Sequence, residues 1–214
     1  MGTNSLLKKI LGGIILMVNV KVFSDFNCPF CFIATGIVEQ LKKDGVDFSV
    51  EWIPYESYPE IPLEGKDLYN NYSKEQVDSM YEMLGRHAKP YSIEFGNAHI
   101  KYNSHRALLA GEYAKTVNKY DDFSKEVFKA AFTDVKNIGH KDTIDEIAEK
   151  VRLNIVEMNK SIDEGKYDDK LKRAKELVDK HNIKEVPTFV VNDEHNVINI
   201  RNYKRIKKAI VEAK

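Results

Sequence analysis

Apolar and polar residues alternate in two segments near the start of the chain, as is typical of β-strands. Val18 to Phe23 alternates in this way, and so does Val46 to Ile53. Between them, Ile33 to Lys43 carries its apolar residues at helical spacing, and Asp44-Gly45 ends that pattern. Strands repeat every two residues and helices about every 3.6, so this stretch predicts a strand, a helix and a second strand.

Helical patterns dominate the middle of the chain. Ser73 and Gln76 have the spacing of a capping box, which predicts a helix running toward Lys89-Pro90. The further segments that have an apolar face at helical spacing are His105–Asn118, Asp122–Phe132, Asp142–Val151, Ile155–Glu164 and Asp169–His181. No part of this region has a convincing strand pattern, so we expect it to be all helical.

The C-terminal part of the chain returns to strands. Thr188–Val191 and Val197–Ile200 are short and apolar around a polar turn, and Tyr203–Ala213 has the pattern of a final amphipathic helix. The full order is βαβ, a helical block and ββα, which is the α/β arrangement of a thioredoxin fold with a large all-helical insertion. We assign residues 17–65 and 182–214 to the thioredoxin-like domain and residues 66–181 to the insertion.

The charge balance argues against a nucleic-acid partner. The chain has 33 Lys and Arg against 33 Asp and Glu, so its formal net charge is zero. Nucleic-acid-binding domains concentrate basic residues, and no long basic tract is present. With 214 residues, of which 43% are hydrophobic, the chain is long enough to bury a sizeable core.

The two cysteines, Cys28 and Cys31, stand in the sequence Cys-Pro-Phe-Cys just after the first predicted strand. A disulfide scaffold needs more cysteines in a shorter chain, so this pair indicates redox chemistry or metal binding. The N-terminus of the following helix presents unpaired N–H groups and the positive end of the helix dipole, which favour a thiolate. We predict that Cys28 attacks a disulfide and that Cys31 resolves the mixed disulfide.

Two other interpretations of the cysteine pair remain open. A structural zinc site needs two further ligands, and we expect no metal because the histidines are scattered along the chain. They are His87, His99, His105, His140, His181 and His195. In the second interpretation, the pair consists of two incidental buried cysteines with no chemical role.

Residues 1–16 precede the first predicted strand. The apolar run Ile10 to Val18 is too short to span a bilayer, which takes about 20 apolar residues. Met17 stands directly before the strand, so we expect residues 1–16 to be an extension upstream of the true start of a cytoplasmic protein, without stable membrane insertion. The alternatives are an export signal or membrane anchor within residues 1–18, and a genuine N-terminal segment.

Several motifs together resemble one protein family over about residues 17–213. Cys-Pro-Phe-Cys follows Val-x-Val-x-Val-Phe-Ser-Asp, and Glu-Val-Pro-Thr-Phe-Val-Val-Asn stands near the C-terminus. Between them, in the same order, lie Trp52-Ile53-Pro54-Tyr55-Glu56, Asn103-Ser104-His105-Arg106-Ala107 and Phe132-Thr133-Asp134 with Asn137-Ile138-Gly139. These residues resemble DsbA-like proteins of the thioredoxin superfamily. The closest resemblance is to the FrnE-like subgroup, which is related to 2-hydroxychromene-2-carboxylate isomerases and kappa-class glutathione transferases.

The resemblance implies a thiol–disulfide oxidoreductase in which Pro187 is cis and stands beside the Cys28 sulfur. It also implies that the Val186 backbone pairs with an extended substrate strand. The residues expected to contribute to substrate binding are Pro29, Phe30, Val186 and Thr188. From the residues alone, Pro187 is an ordinary proline at the start of a strand, because it cannot donate to a sheet ladder.

Two departures from the family bear on the chemistry. Phe30 stands where the strongly oxidising DsbA type has a histidine that stabilises the thiolate, so we expect a potential near roughly −200 mV rather than roughly −120 mV. Val22 stands where thioredoxin has a buried acid. Asp25 is the nearest carboxylate and is a candidate proton shuttle for Cys31, with capping of the loop before the helix as the alternative.

The insertion supplies further candidates through the resemblance. His105 and Arg106 begin a helix that would face the active-site cleft, where they would contact a substrate carboxylate or glutathione; a solvated helix start is the alternative. The aromatic residues of the insertion are expected to pack in its core or in a lid, and they are Tyr69, Tyr72, Tyr81, Tyr91 and Phe95.

The expected partners are protein or small-molecule thiols and disulfides. We expect no cofactor, apart from glutathione as a co-substrate. Two other functions stay open. One is a glutathione-dependent transferase or isomerase on the same fold, although such relatives carry serine at the position of Cys28. The other is a non-enzymatic chaperone or binding module.

Overall fold

The computed structural model describes residues 17–194, 197–199 and 203–213. The predicted extension, residues 1–16, lies outside these residues. Within the part described, no helix is both long and apolar enough to cross a membrane.

A mixed four-stranded sheet forms the centre of the thioredoxin-like part. Its strands are β1 (Asn19–Ser24), β2 (Ser49–Pro54), β5 (Thr188–Val191) and β6 (Val197–Asn199), in the order β2-β1-β5-β6. β1 runs parallel to β2 and antiparallel to β5, and β6 pairs antiparallel with β5. The predicted βαβ and ββα units are confirmed, and they meet where β1 pairs with β5.

Helices cover both faces of this sheet and form most of the insertion. They are α1 (Pro29–Lys43), α2 (Lys74–Ala88), α3 (His105–Thr116), α4 (Tyr120–Phe132), α5 (Lys141–Lys150), α6 (Ile155–Asp163), α7 (Asp168–Lys180) and α8 (Tyr203–Glu212). Each predicted helix is present, with ends close to those expected. The capping box is also confirmed: Ser73 Oγ accepts from the Gln76 N–H at 3.3 Å, and Gln76 Oε1 accepts from the Ser73 N–H at 2.8 Å.

The insertion is not all helical, contrary to our expectation. β3 (Lys66–Asp67) and β4 (Ile100–Lys101) pair as an antiparallel two-stranded ribbon. The Leu68 N–H extends this pairing by donating to the His99 carbonyl oxygen at 2.8 Å. Strands of two residues are too short for an alternating pattern to identify, and their partners are far apart in the chain.

Aromatic side chains join the start of α1 to the insertion. Phe32 of α1 stacks on Phe128 of α4, with ring centroids 5.6 Å apart and planes 8° apart. Phe26, from the loop before α1, lies 4.9 Å from the same Phe128 ring. These rings belong to a buried cluster that also contains Cys31 and residues of α3 to α6. The insertion therefore packs directly against the beginning of α1.

Candidate active site

Cys28 is the N-cap residue of α1. Its backbone is extended, with φ −105° and ψ 113°, and Pro29 occupies the first helical position. Proline is tolerated there because its missing N–H would have no helical partner. Cys28 is partly exposed, whereas Cys31, one turn into the helix, is fully buried. One sulfur is therefore accessible from outside, and the second lies beneath it.

Hydrogen bonds directed at the Cys28 sulfur lower the pKa of its thiol. The Cys31 thiol makes the largest contribution, the backbone N–H groups of Cys31 and Phe30 add to it, and burial opposes them. Burial, together with the neighbouring Cys28 sulfur, raises the pKa of Cys31 well above its ordinary value. The site thus favours a thiolate on Cys28 and a thiol on Cys31, as a nucleophile and a resolving cysteine require.

The loop before β5 lies against the Cys28 sulfur. The peptide bond between Val186 and Pro187 is cis. The Cys28 thiol donates to the Val186 carbonyl oxygen at 3.4 Å, across 158 positions of sequence. The fold therefore brings together the Cys-Pro-Phe-Cys motif and the late proline, which the resemblance placed side by side.

Asp25 is fully buried in the loop between β1 and α1. Its carboxylate accepts hydrogen bonds from the backbone N–H groups of Asn27 at 3.1 Å and Ser57 at 2.8 Å. Its own carbonyl oxygen accepts from the Cys28 N–H at 3.1 Å. The bond from Asn27 lies within the loop before α1, in keeping with the capping alternative, and the bond from Ser57 also fastens this loop to the segment after β2. Burial raises the pKa of Asp25, and its service as a proton shuttle for Cys31 stays a prediction.

A cavity of about 420 Å³ opens beside Cys28. On the dithiol side it is lined by Cys28, Pro29, Phe30 and Val186, of which the last three were expected at the substrate site. The opposite wall comes from the segment after β2 and from the insertion. Its main apolar and aromatic residues are Tyr58, Met80, Tyr81, Ile100, Phe132 and Ile138.

The structure places Arg106 and His105 in other contacts, contrary to the expectation that they face the cleft. The Arg106 guanidinium donates to Asn159 Oδ1 at 2.6 Å and lies 3.4 Å from Asp163 Oδ1, which ties α3 to α6. His105 Nδ1 lies 3.0 Å from Glu56 Oε2, and this hydrogen bond raises the pKa of His105. Neither residue is among those that line the cavity.

Thr188 also differs from its expected role. It is 2% exposed, and its hydroxyl donates to the Glu185 carbonyl oxygen at 2.6 Å. Thr188 does not line the cavity. Its side chain therefore supports the turn that carries Pro187.

The aromatic residues of the insertion divide between core, cavity wall and surface. Tyr81 lines the cavity, and its hydroxyl donates to the Ala98 carbonyl oxygen at 2.6 Å. Phe95 lies 5.8 Å from the Phe32 ring in the core, whereas Tyr72 is 54% exposed, contrary to the packing expected for it.

Sequence reasoning missed Lys101, which lines the cavity from β4. The ammonium of Lys101 lies 3.2 Å from the centroid of the Tyr58 ring. No sequence signal was available for Lys101, because β4 has only two residues and so shows no alternating pattern. Among the residues with described positions, no group of His, Cys, Asp and Glu has the arrangement to hold a metal ion.

The chain is similar to known proteins over most of its length. Residues 19–211 match the family described as DSBA-like thioredoxin domain. The Bacillus subtilis protein YwbO is 32% identical over 184 residues, which cover 83% of this chain and 88% of YwbO.

Two solved structures show the same fold at low sequence identity. A probable DsbA oxidoreductase, SCO1869 from Streptomyces coelicolor, superposes with a TM-score of 0.81 at 17% identity, covering 92% of this chain and 89% of that one. A 2-hydroxychromene-2-carboxylate isomerase superposes with a TM-score of 0.69 at 16% identity, covering 91% and 95%. Both likenesses show that this chain shares the fold of those two proteins.

Proposed function

The chain belongs to the DSBA-like thioredoxin domain family, and from this premise we propose that it is a thiol–disulfide oxidoreductase acting through Cys28 and Cys31. The observation that carries the proposal is the geometry at the head of α1, where Cys28 is the partly exposed N-cap residue beside the cis Val186-Pro187 bond and Cys31 is buried one turn further along. The directions of the two thiol pKa shifts, down for Cys28 and up for Cys31, agree with this geometry. Only the sulfur with the lowered pKa is accessible from the cavity. A nucleophile that is ionised and reachable, above a partner that is protonated and enclosed, suits stepwise disulfide exchange.

The reaction has two displacement steps. The Cys28 thiolate attacks one sulfur of a substrate disulfide, and the other substrate sulfur leaves as a thiolate that takes up a proton. Cys31 then loses its proton and attacks the Cys28 sulfur, releasing the second substrate sulfur as a thiol. Two electrons pass from the dithiol to the substrate, and the reverse sequence oxidises a substrate dithiol.

The surroundings of the sulfur define where a substrate lies. Pro29 and Phe30 border the cavity on one side of Cys28, and Val186 borders it on the other. An extended substrate that pairs with the Val186 backbone would bring its disulfide over the Cys28 sulfur. The Phe30 side chain offers no hydrogen bond to the thiolate, which supports the expected potential near roughly −200 mV.

Trapping of the mixed disulfide tests this assignment. Cys31→Ser keeps the attacking sulfur but removes the resolving one, so incubation with a cysteine-containing peptide disulfide should leave the peptide attached to Cys28. Cys28→Ser should capture no peptide, and only the wild-type protein should reduce the disulfides of insulin with repeated turnover. Mass spectrometry of the intact protein detects the adduct. Exchange that persists in Cys28→Ser would reject the proposed role of this residue.

We also propose glutathione as a co-substrate of the same site, together with a cytoplasmic location for the protein. Replacing the peptide disulfide by glutathione disulfide in the trapping experiment tests it directly. We expect a glutathione adduct on Cys31→Ser and none on Cys28→Ser. A Cys31→Ser protein that accepts the peptide but not glutathione would remove glutathione from the proposal and leave the dithiol chemistry intact.

A further inference from the structure

The cavity wall that faces Cys28 carries a positive charge on a half-buried side chain. Lys101 projects from β4, lines the cavity, and holds its ammonium over the Tyr58 ring. The negative charges that act on this ammonium are chiefly those of Asp25 and Cys28, followed by Glu60, while the charge of Lys66 opposes them; each acts through space rather than through a hydrogen bond. Among the residues that the structure describes, none forms an ion pair with Lys101, so packing and a cation–π contact hold it in the cleft.

The Lys101 ammonium is partly desolvated, so it gains binding energy from an anion that enters the cavity. Burial lowers the pKa of Lys101, and the negative charges of Asp25 and Cys28 oppose that effect. A cation that has given up part of its hydration gains from a charge-assisted hydrogen bond more than an exposed cation does. The position of Lys101 thus favours an anionic group bound in the cavity.

The rest of the same wall is apolar. Ile100, Phe132 and Ile138 line it together with the rings of Tyr58 and Tyr81. A cavity of about 420 Å³ with apolar walls and few charged groups is typical of small-molecule sites. Lys184 and Glu185, which also line the cavity, have opposite signs, so Lys101 is the cation that balances the Cys28 thiolate and is placed to meet the acid of a bound compound.

The ribbon of β3 and β4 explains how Lys101 reaches the cleft. Lys101 pairs in register with Lys66 of β3, and the Tyr81 hydroxyl holds the Ala98 carbonyl oxygen at 2.6 Å just before β4. Lys66 is exposed and does not line the cavity, although it stands beside Lys101 on the ribbon. The same ribbon therefore offers one cation to the site and one to solvent.

We propose that the cavity beside Cys28 binds small aromatic or aliphatic thiols and disulfides that carry a carboxylate, and that Lys101 recognises the carboxylate. This inference rests on the proposed function, because it names a substrate class for the same dithiol. The apolar wall holds the body of the compound, Lys101 holds the acid, and the sulfur lies toward Cys28. Capture is the exchange already described: the Cys28 thiolate bonds to one sulfur, and the other leaves with the electron pair.

Two aromatic disulfides that differ in charge test this inference. One is 5,5′-dithiobis(2-nitrobenzoate), which carries carboxylates, and the other is 2,2′-dithiodipyridine, which carries none. Reaction of each with the reduced full-length protein is followed by stopped-flow absorbance of the released thiol. Lys101→Gln should slow the carboxylate probe by about tenfold, the effect of losing one charge-assisted hydrogen bond, while the rate with the neutral probe changes less than about twofold.

Matched variants separate recognition from general electrostatics. Lys66→Gln removes an equal charge from the same ribbon and should leave both rates unchanged, and Lys101→Arg should keep most of the preference for the carboxylate probe. The ratio of the two rates within one variant is independent of small losses of folded protein. Equal slowing of both probes in Lys101→Gln, or no slowing, would overturn the inference. A wild-type protein whose rates match those of Cys28→Ser would instead overturn the proposed function.

Discussion

The two sides of the active-site cleft are built by different kinds of contact. The two cysteines of the dithiol side come from one short stretch of sequence, between the end of β1 and the first turn of α1. The facing side depends on segments far apart in the chain, such as the pairing of Lys66 with Lys101. In the function proposed here, the local side would supply the reaction and the long-range side would add selectivity for the substrate. Changes on one side should therefore affect reactivity and changes on the other selectivity.

The largest effect is expected from a substitution that removes packing contacts between the two sides of the cleft. Phe128 is fully buried and packs against Phe32 of α1 and Phe26 of the preceding loop. Phe128→Ala removes a ring from this shared core and should lower the free energy of unfolding by about 3–5 kcal/mol. Urea denaturation followed by circular dichroism measures the change.

Val156→Ala is the control for Phe128→Ala. Val156 lies in α6 of the insertion and is 80% exposed, so its truncation should change the free energy of unfolding by no more than about 0.5 kcal/mol. If Phe128→Ala were equally mild, or if the wild type unfolded in two separate transitions, the two sides would not share one core.

The second largest effect is expected from a substitution that disturbs only the side of the cleft facing the dithiol. Gly65 precedes β3 with φ +88°, and an added Cβ would lie 2.6 Å from Ile100 Cγ2 and 2.8 Å from Tyr102 Cδ1. Gly65→Ala combines a left-handed backbone with overpacking, so it should cost roughly 2–4 kcal/mol. It should also displace the ribbon and reduce the preference for the carboxylate probe, while the pH dependence of Cys28 alkylation stays unchanged.

Gly45→Ala isolates the backbone part of that cost. Gly45 has φ +73°, and no heavy atom lies within 4 Å of an added Cβ. Its substitution should cost about 1–2 kcal/mol through the backbone conformation alone. Equal costs for the two variants, measured by urea denaturation, would show that the ribbon yields to Gly65→Ala without strain.

The same division explains which features could be predicted from sequence. The strands, the helices and the head of α1 follow from periodicity, from the capping box at Ser73 and from Pro29, all of which are local signals. The β3–β4 ribbon was missed because two residues per strand show no period, and Lys101 was missed with it. Such a contact is set by how distant segments meet.

Resemblance identified positions better than it identified side-chain directions. It placed Pro187 beside Cys28, which depends on the backbone path that the fold shares. It also suggested that Arg106 and Thr188 meet the substrate, yet Arg106 binds Asn159 and Thr188 binds the carbonyl of its own turn. A side chain's partner depends on its neighbours in this chain, which a short motif does not specify.

The third effect tests whether a group on the dithiol side, the Cys31 thiol, determines the reactivity of Cys28. Cys31→Ala removes the thiol that makes the largest contribution to lowering the pKa of Cys28. The midpoint of Cys28 alkylation by iodoacetamide should therefore move up, toward the ordinary thiol value of about 8.5. Cys31→Ser keeps a hydroxyl donor and should shift the midpoint less. Unchanged midpoints in both variants would assign the lowered pKa to another group.

The same shift predicts how the stability of the reduced protein depends on pH. The pKa of Cys28 is lower in the folded than in the unfolded state, so the reduced protein gains stability as pH rises from the folded to the unfolded value. Cys31→Ala should flatten this rise. Urea denaturation of the reduced protein at a series of pH values measures it, with Cys28→Ser as the control that lacks the titrating sulfur. A rise that persists in Cys28→Ser would belong to a different group.

The smallest effect lies at the opposite end of α1, away from both sides of the cleft. Asp44 follows α1, and its Oδ2 lies 2.6 Å from the Tyr203 hydroxyl and 2.6 Å from Lys207 Nζ of α8. These hydrogen bonds and that of Gln40 lower the pKa of Asp44 to about 2. A carboxylate with a lowered pKa stabilises the fold above its unfolded pKa and loses that effect as pH falls through the folded value. Asp44→Asn should therefore slightly lower the thermal midpoint at pH 7, and the difference from the wild type should shrink between about pH 4 and pH 2.

The rate of Cys28 alkylation at pH 7 should be the same in both proteins, because Cys28 and Asp44 cap opposite ends of the helix. A changed alkylation rate would show that the dithiol depends on the whole length of α1, and the distinction between a locally built reactive side and a long-range facing side would no longer hold.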